Sequence, residues 1–499
     1  MLLAHDLGTT GNKASLHDDS GRLIVAVTET YGTHYGRRGV VEQDPDAWWR
    51  AVCRATARLL ETPGVSSDQI LGVALSGQMM GAVLLDAAGD PVRPSLIWAD
   101  TRSGAQARRL EQRIGPEAGY QVLGHRINPT YSLSKIMWVR DHEPDVFART
   151  TRICLAKDYV VLKLTGTLAT DKSDASSTNA FDQASSSWSA ELLAAAELPL
   201  TLFPEIVAST TVLGDVTAQA ARDTGLRAGT PVVMGGGDGP MAAVGAGVID
   251  KSDGAYVYLG SSSWVSVSSS TPLHDVPEMR TMTFNHVVPG RFVPTATMQA
   301  GGASLSWIAD LLTGSEDPAR FDRLIGLAAG VDTGEDDLFF LPHLLGERSP
   351  YWNPDVRGAF VGLGRHHGPA HLTRAVLEGV AFNLATCIEA FREQGHAITR
   401  VDAIGGGAAS DQWLQIMANV WGATVRRRTI VEEANSLGAA VTAGVGVGLL
   451  PDFSVARQLS EVVAEFAPDP VAHRLYRRRH QRFLRAYRNL EPWYDGEAE

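Results

Sequence analysis

Two stretches, about half the chain apart, read almost alike. "LLAHDLGTTGNKASL" opens the chain, and "AYVYLGSSSWVSVSSS" begins at Ala255. Each is an apolar run, a Leu-Gly step, a few small hydroxyl or glycine residues, then a second apolar run. That is a strand, a tight turn and a returning strand. A hairpin repeated at this distance implies an internal duplication with one copy opening each half. The chain has 499 residues, more than the ~250–300 at which a single core stops growing. Short β-rich runs alternate with helical patterns, so the expected class is α/β. The expectation is two α/β domains with a cleft between them. Residues 1–245 form the first and 246–450 the second, and 451–499 form a helical extension packed on the core.

The bulk properties exclude several functions. A net charge of −12 opposes sequence-independent nucleic-acid binding, which needs a basic face. Cys53, Cys154 and Cys387 are far apart, so neither a disulfide framework nor a cysteine zinc site is expected, in keeping with a reducing cytoplasm. No basic n-region precedes a long apolar stretch, and no apolar run approaches the ~20 residues a membrane span needs. His5, His34 and His343 lack metal-ligand spacing. The basic helix "VAHRLYRRRHQRFLRAYRNLEPWY" is isolated in an acidic chain and reads as a solvated helix covering a core edge.

The glycine turns carry the chemistry. Backbone N–H groups of a Gly/Ser/Thr hairpin can converge on an anion, and two facing hairpins can grip a polyphosphate. Gly405-Gly406-Gly407 precedes a helical pattern and allows close approach of a ring or phosphate. Neither a dinucleotide fingerprint nor a P-loop occurs. Asp238 differs from the rest. It follows the apolar run "PVVMGGG" and is flanked by glycines, which leave a carboxylate reachable by a substrate hydroxyl, as a general base requires. Asp6 has two readings, an Asx-turn acceptor or a carboxylate that holds Mg2+ through water. Lys13 lies within reach of a transferred phosphate.

Several segments in combination resemble the FGGY family of carbohydrate kinases. They are "DLGTTGNKASL", "VEQDPDAWW", "GVALSGQMMGAVLLD", "SLIWADTRS", "KDYVVLKLTG", "MGGGDG", "LPHLLGERSPYWNPDVRGAFVGL" and "GGGAASDQWLQIMANVWG". The resemblance covers nearly the whole chain and implies two actin-like/ribonuclease-H-like domains with a cleft between them. It also implies transfer of the ATP γ-phosphoryl group to a hydroxyl of a ketose, xylulose or a related pentulose, with Mg2+. It implies Asp238 as the base and Asp6 as the metal-side acid. Thr10 and Lys13 fall on the first phosphate hairpin, and Gly260 and Ser261 on the second. Gly302, Gly406, Gly407 and Asp411 fall on the nucleotide pocket. Gln78, Met79, Met80 and Asp100 fall on the sugar side, Asp100 with a structural ion pair to Arg102 as its alternative. Two positions depart from the pattern of the pentulose subgroup: Met80 stands where a His is usual, and Gly239 where an Asn or Gln is common. A His donates to a sugar hydroxyl, and a Met cannot. Alternatives are a tetrulose, hexulose, pentitol or glycerol-like acceptor, and an actin-like ATPase switch without a small acceptor. The expected partner is a small sugar or polyol, with neither nucleic acid nor membrane. A homodimer is the assembly the resemblance suggests.

Overall fold

The computed structural model describes residues 1–37, 39–314, 317, 319–332, 337–429 and 433–494. The last few residues of the expected C-terminal extension lie outside them. Two large sheets organise the chain. The first has six strands in the order Val212–Asp215, Pro231–Gly237, Gly72–Gly77, Leu2–Leu7, Gly11–His17 and Leu23–Thr30. The second has seven, in the order Met282–Asn285, Phe292–Met298, Ser263–Val267, Ala255–Leu259, Arg400–Ile404, Thr424–Arg428 and Val462–Phe466.

The repeated hairpin anchors a repeated topology. In the first sheet, Leu2–Leu7 pairs antiparallel with Gly11–His17, which pairs antiparallel with Leu23–Thr30. On its other side Leu2–Leu7 pairs parallel with Gly72–Gly77, which pairs parallel with Pro231–Gly237. In the second sheet Ala255–Leu259, Ser263–Val267 and Phe292–Met298 form the antiparallel set. Arg400–Ile404 and Thr424–Arg428 then follow in parallel. Each sheet closes that side with an antiparallel edge strand. The duplication read from "DLGTTG" and "YLGSSS" is therefore a duplication of strand order and direction.

Parallel strands are buried on both faces and need helices to cover them. Pro45–Leu60 covers the first sheet, with Asp44 capping its N-terminus through the Asp46 N–H and Trp48, Val52, Ala55 and Leu59 facing inward. Pro369–Glu393 and Asp411–Trp421 pack on the second, joined by Tyr476, Phe483 and Tyr487 of the terminal helix Pro470–Tyr494. That helix covers a core edge, as expected from its one apolar stripe.

Two small-residue helices tie the halves together. Asp238–Gly245 follows the last parallel strand of the first sheet, yet its Ala242 and Ala243 pack with Tyr256, Val293 and Ile404 of the second. Ala434–Gly446 comes late in the chain, yet its Leu437, Ala440 and Val441 pack with Leu2, Ala4, Ala74 and Val233 of the first. The two helices cross at glycines. A Cβ on Gly438 would lie 2.1 Å from the Met241 carbonyl oxygen, and one on Gly245 would lie 1.9 Å from that of Ala434. Only glycine permits this approach. Among the described residues no helix is long and apolar enough to cross a membrane.

Candidate active site

Three parallel strands of the first sheet end side by side. Leu7 is level with Gly77, and Gly77 with Gly237. Ligands of open α/β sheets bind beyond such carboxyl ends. The residues found there are Asp6 with its hairpin, Gln78-Met79-Met80, and Asp238.

Asp6 is held from two directions. Ser76, its neighbour across the parallel pair, donates to Asp6 Oδ1 at 2.7 Å, and Asn435 Nδ2 donates to the same oxygen at 3.3 Å. Asn435 opens the helix contributed by the second half of the chain. Burial raises the Asp6 pKa above its ordinary value, while these hydrogen bonds and the charge of Lys13 lower it. Lys13 is level with Asp6 across the hairpin. Thr10 lies at the exposed tip, where its carbonyl accepts from the Tyr31 N–H at 3.3 Å. No Asx turn is needed to explain Asp6, because its carboxylate points across the sheet to Ser76 rather than to its own loop.

Asp238 is the first residue of a helix, placed by the strand Pro231–Gly237. Its Oδ1 accepts the Gly239 N–H at 2.8 Å. The carboxyl is partly exposed, but protein surrounds it closely. Burial, and then the nearby Asp6 charge, raise its pKa to about 7. A carboxylate with that proton affinity can take a hydroxyl proton near neutral pH.

A buried charged cluster supports the strand behind Asp238. Lys157 Nζ lies 2.6 Å from Asp158, 3.0 Å from Asp171 and 3.0 Å from Asp174, all fully buried. Asp171 Oδ2 accepts Ser173 Oγ–H at 2.6 Å, and Ser173 Oγ accepts the Gly237 N–H at 2.9 Å. The three carboxylates hold the Lys157 ammonium well above its usual pKa despite its burial. Burial drives the Asp174 pKa well upward. The cluster thus fixes the backbone one residue before Asp238.

On the expected sugar side, Met79 is buried with Tyr131, Met282 and Phe284, flanked by Met80 and Trp352. A Cβ on Gly237 would lie 2.6 Å from Met79 Cγ, so Met79 packs against the Asp238 turn. Met80 adopts the left-handed conformation, with φ 67°, and its N–H donates to Ser177 Oγ at 3.2 Å. A non-glycine residue there is strained, a recurrent property of functional positions. Gln78 reaches away from this wall. Its Nε2 donates to Gln43 Oε1 at 2.8 Å, and Gln43 in turn donates to the Thr9 carbonyl at 2.6 Å. Gln78 therefore braces the first hairpin. Asp100 is fully buried and committed to other partners. Arg102 Nη2 donates to Oδ2 at 2.6 Å, Arg102 Nε to Oδ1 at 3.0 Å, and the Val41 N–H to Oδ2 at 2.7 Å. Of its two readings, the ion pair describes this arrangement.

The expected nucleotide residues gather at the matching end of the second sheet. Gly260 and Ser261 form the turn between Ala255–Leu259 and Ser263–Val267. Their carbonyls accept from the Gly302 and Ala303 N–H groups at 2.8 and 3.0 Å, which fastens the turn to the helix Gly302–Thr313. Tyr258 is level with Ile404, which brings the Gly405–Gly407 turn alongside. Gly406 and Gly407 belong to a 3-10 turn, Gly406–Ala409, that comes before the helix Asp411–Trp421, so the glycines precede its N-terminus rather than form it. Asp411 is mostly exposed and paired with Arg427 at 2.5 Å.

Family models describe the same two halves. The N-terminal domain model of the FGGY family of carbohydrate kinases matches residues 1–245, and the C-terminal domain model matches 255–447. The chain belongs to this family. It is 35% identical to the xylulose kinase of Escherichia coli K12, over 99% of each chain. It is 33% identical to that of a Staphylococcus epidermidis strain, over 95% of this chain and 94% of the other. The xylulose kinase structure from Rhodospirillum rubrum superposes with a TM-score of 0.90 at 31% identity, covering 99% of both. FGGY sugar kinases take the phosphoryl group from ATP.

Sequence reasoning missed Ser76, Asn435, Lys157, Asp171, Ser173 and Tyr131. Most of these act through contacts between distant chain positions, which leave no local pattern. The run "ATDKSDASSTNAF" was the one local signal, since its density of Asp and Ser exceeds what a plain turn needs.

Proposed function

We propose that this chain is an ATP-dependent xylulose kinase, with Asp238 as general base. The observation that carries the mechanism is the position of Asp238. It combines a strand-end, helix-start carboxyl of raised pKa with a hydrophobic wall on one side and Asp6 on the other. The similarity to xylulose kinases over the whole chain supports the acceptor.

In this reading the sugar rests against Met79, Met80 and Tyr131, with one hydroxyl toward Asp238. Asp238 takes the hydroxyl proton as the oxygen attacks the γ-phosphorus in line, and the bond to the ADP leaving oxygen breaks. Such transfer depends on positioning and charge stabilisation more than on covalent chemistry. The hairpin turns at 9–10 and 260–262 present backbone N–H groups to the phosphates, and Lys13 adds a cation. Gly406, where an added Cβ would meet nothing within 4 Å, leaves space for the nucleotide, while Gly302 and Gly407 let their segments pack closely on Gly260 and Leu259.

Among the described residues no group of three or more His, Cys, Asp or Glu forms a metal cage. A single carboxylate with phosphate and water suits Mg2+, which keeps much of its hydration. Asp6 fits that role, because Ser76 and Asn435 occupy only Oδ1. A bound Mg2+ would neutralise phosphate charge there. An ATP-coupled screen over pentuloses, tetruloses, hexuloses and polyols tests the acceptor. Xylulose should give the highest kcat/KM, and a clear preference for another class would overturn that assignment.

A further inference from the structure

The helix that begins with Asp238 is pinned by a side chain from the other sheet. Tyr256 is fully buried. Its Oη donates to the Gly239 carbonyl at 3.0 Å, and Trp264 Nε1–H donates to Tyr256 Oη at 3.0 Å. The Gly239 N–H donates to Asp238 Oδ1 at 2.8 Å. Tyr256 and Trp264 stand on the two strands of the second hairpin, one on each side of the Gly260-Ser261 turn. Trp264 also stacks on Tyr258, with ring centroids 4.1 Å apart and an interplanar angle of 17°. Two hydrogen bonds therefore lead from the second hairpin to the carboxyl expected to be the base, and a third, inside the hairpin, backs them.

We propose that Tyr256, backed by Trp264, is a positioning residue. It locks the first turn of the Asp238 helix so that the Gly239 N–H stays aimed at the carboxylate, and it ties that geometry to the nucleotide-side hairpin. This rests on the assignment of Asp238 as base. The neighbouring strand residues Val257 and Leu259 face the opposite core. Alternation along the strand thus sends Tyr256 and Tyr258 toward the helix. An apolar residue would serve packing at this site equally well. The hydroxyl is accounted for by its two hydrogen bonds, because a buried donor is retained only when paired. The Gly239 N–H favours the charged form of Asp238. Loosening the turn should therefore raise the pH at which the base becomes active.

The test compares the full chain with Tyr256→Phe, Trp264→Phe, the double variant and Asp238→Asn in xylulose-dependent ATP turnover. Tyr256→Phe should lower kcat several-fold, up to ~10-fold, the worth of one net hydrogen bond expressed in the transition state. Its KM for sugar should change little, and the acid limb of the kcat/KM profile should move to higher pH. Trp264→Phe keeps the stacking on Tyr258 and loses the N–H. It should shift the limb in the same direction, and the double variant should be no worse than Tyr256→Phe. If Tyr256→Phe fails to fold, Trp264→Phe carries the test. An unshifted limb, whether or not kcat falls, would overturn the proposal while Asp238→Asn is inactive. An active Asp238→Asn would overturn the base assignment itself.

Discussion

Asp6 raises the proton affinity of Asp238. The two carboxyls stand at the ends of strands separated by one intervening strand, and the like charge adds to the effect of burial. The acid limb of kcat/KM, which reports the free enzyme, should lie near pH 7 and be lost as pH falls below it. Asp6→Asn removes the like charge. Its residual activity should show the limb at lower pH, alongside a lower kcat. An unmoved limb would mean that the two groups do not couple.

The same raised pKa has a stability consequence. Asp238 titrates near 4 when unfolded and near 7 when folded, so the folded state holds the proton more tightly. The protonated form's contribution is complete below about pH 4, declines as pH rises to about 7, and is flat above. Asp238→Asn lacks this decline. Melting temperatures measured from pH 4 to 8 should show the variant gaining on the parent up to about pH 7 and no further. A constant difference would contradict the assigned shift.

Lys157 Nζ is in contact with three buried carboxyls, those of Asp158, Asp171 and Asp174. Lys157→Met should destabilise the fold by about 3–5 kcal/mol, because it leaves buried charge without a partner. Chemical denaturation measures this. A loss under about 1 kcal/mol would show that removing the ammonium leaves no unpaired buried charge.

The helix crossing at Gly438 leaves no room for a methyl group. Gly438→Ala should cost about 1–3 kcal/mol through overpacking against the Met241 carbonyl. Gly326→Ala, in the helix Arg320–Ala329 with open space around it, should instead gain about 0.5–1 kcal/mol from helix propensity. Equal effects at the two sites would contradict the close crossing.

Much of this was legible in the sequence. The hairpin repeat foretold the paired sheets, because strand, turn and returning strand is a local signal. Asp238 was legible because glycines around an acid after an apolar run mark a reachable carboxyl. Asp100 carried two local readings in "WADTRS", and only its burial against Arg102 and the Val41 N–H separates them. The exchange of helices across the halves was hidden, since Ala434–Gly446 reads only as a small-residue helix whatever sheet it covers. The links Asn435 to Asp6, Tyr256 to Gly239 and Lys157 to its carboxylates join positions far apart in the chain, where periodicity carries no information.

The central claim is that Asp238 takes the proton from the sugar hydroxyl. Its most direct test is the rate of xylulose-dependent ADP formation by Asp238→Asn, with circular dichroism confirming the fold. A loss of at least ~10²-fold in kcat, the usual worth of a general base, is the predicted result. Near-normal turnover by the folded variant would contradict it.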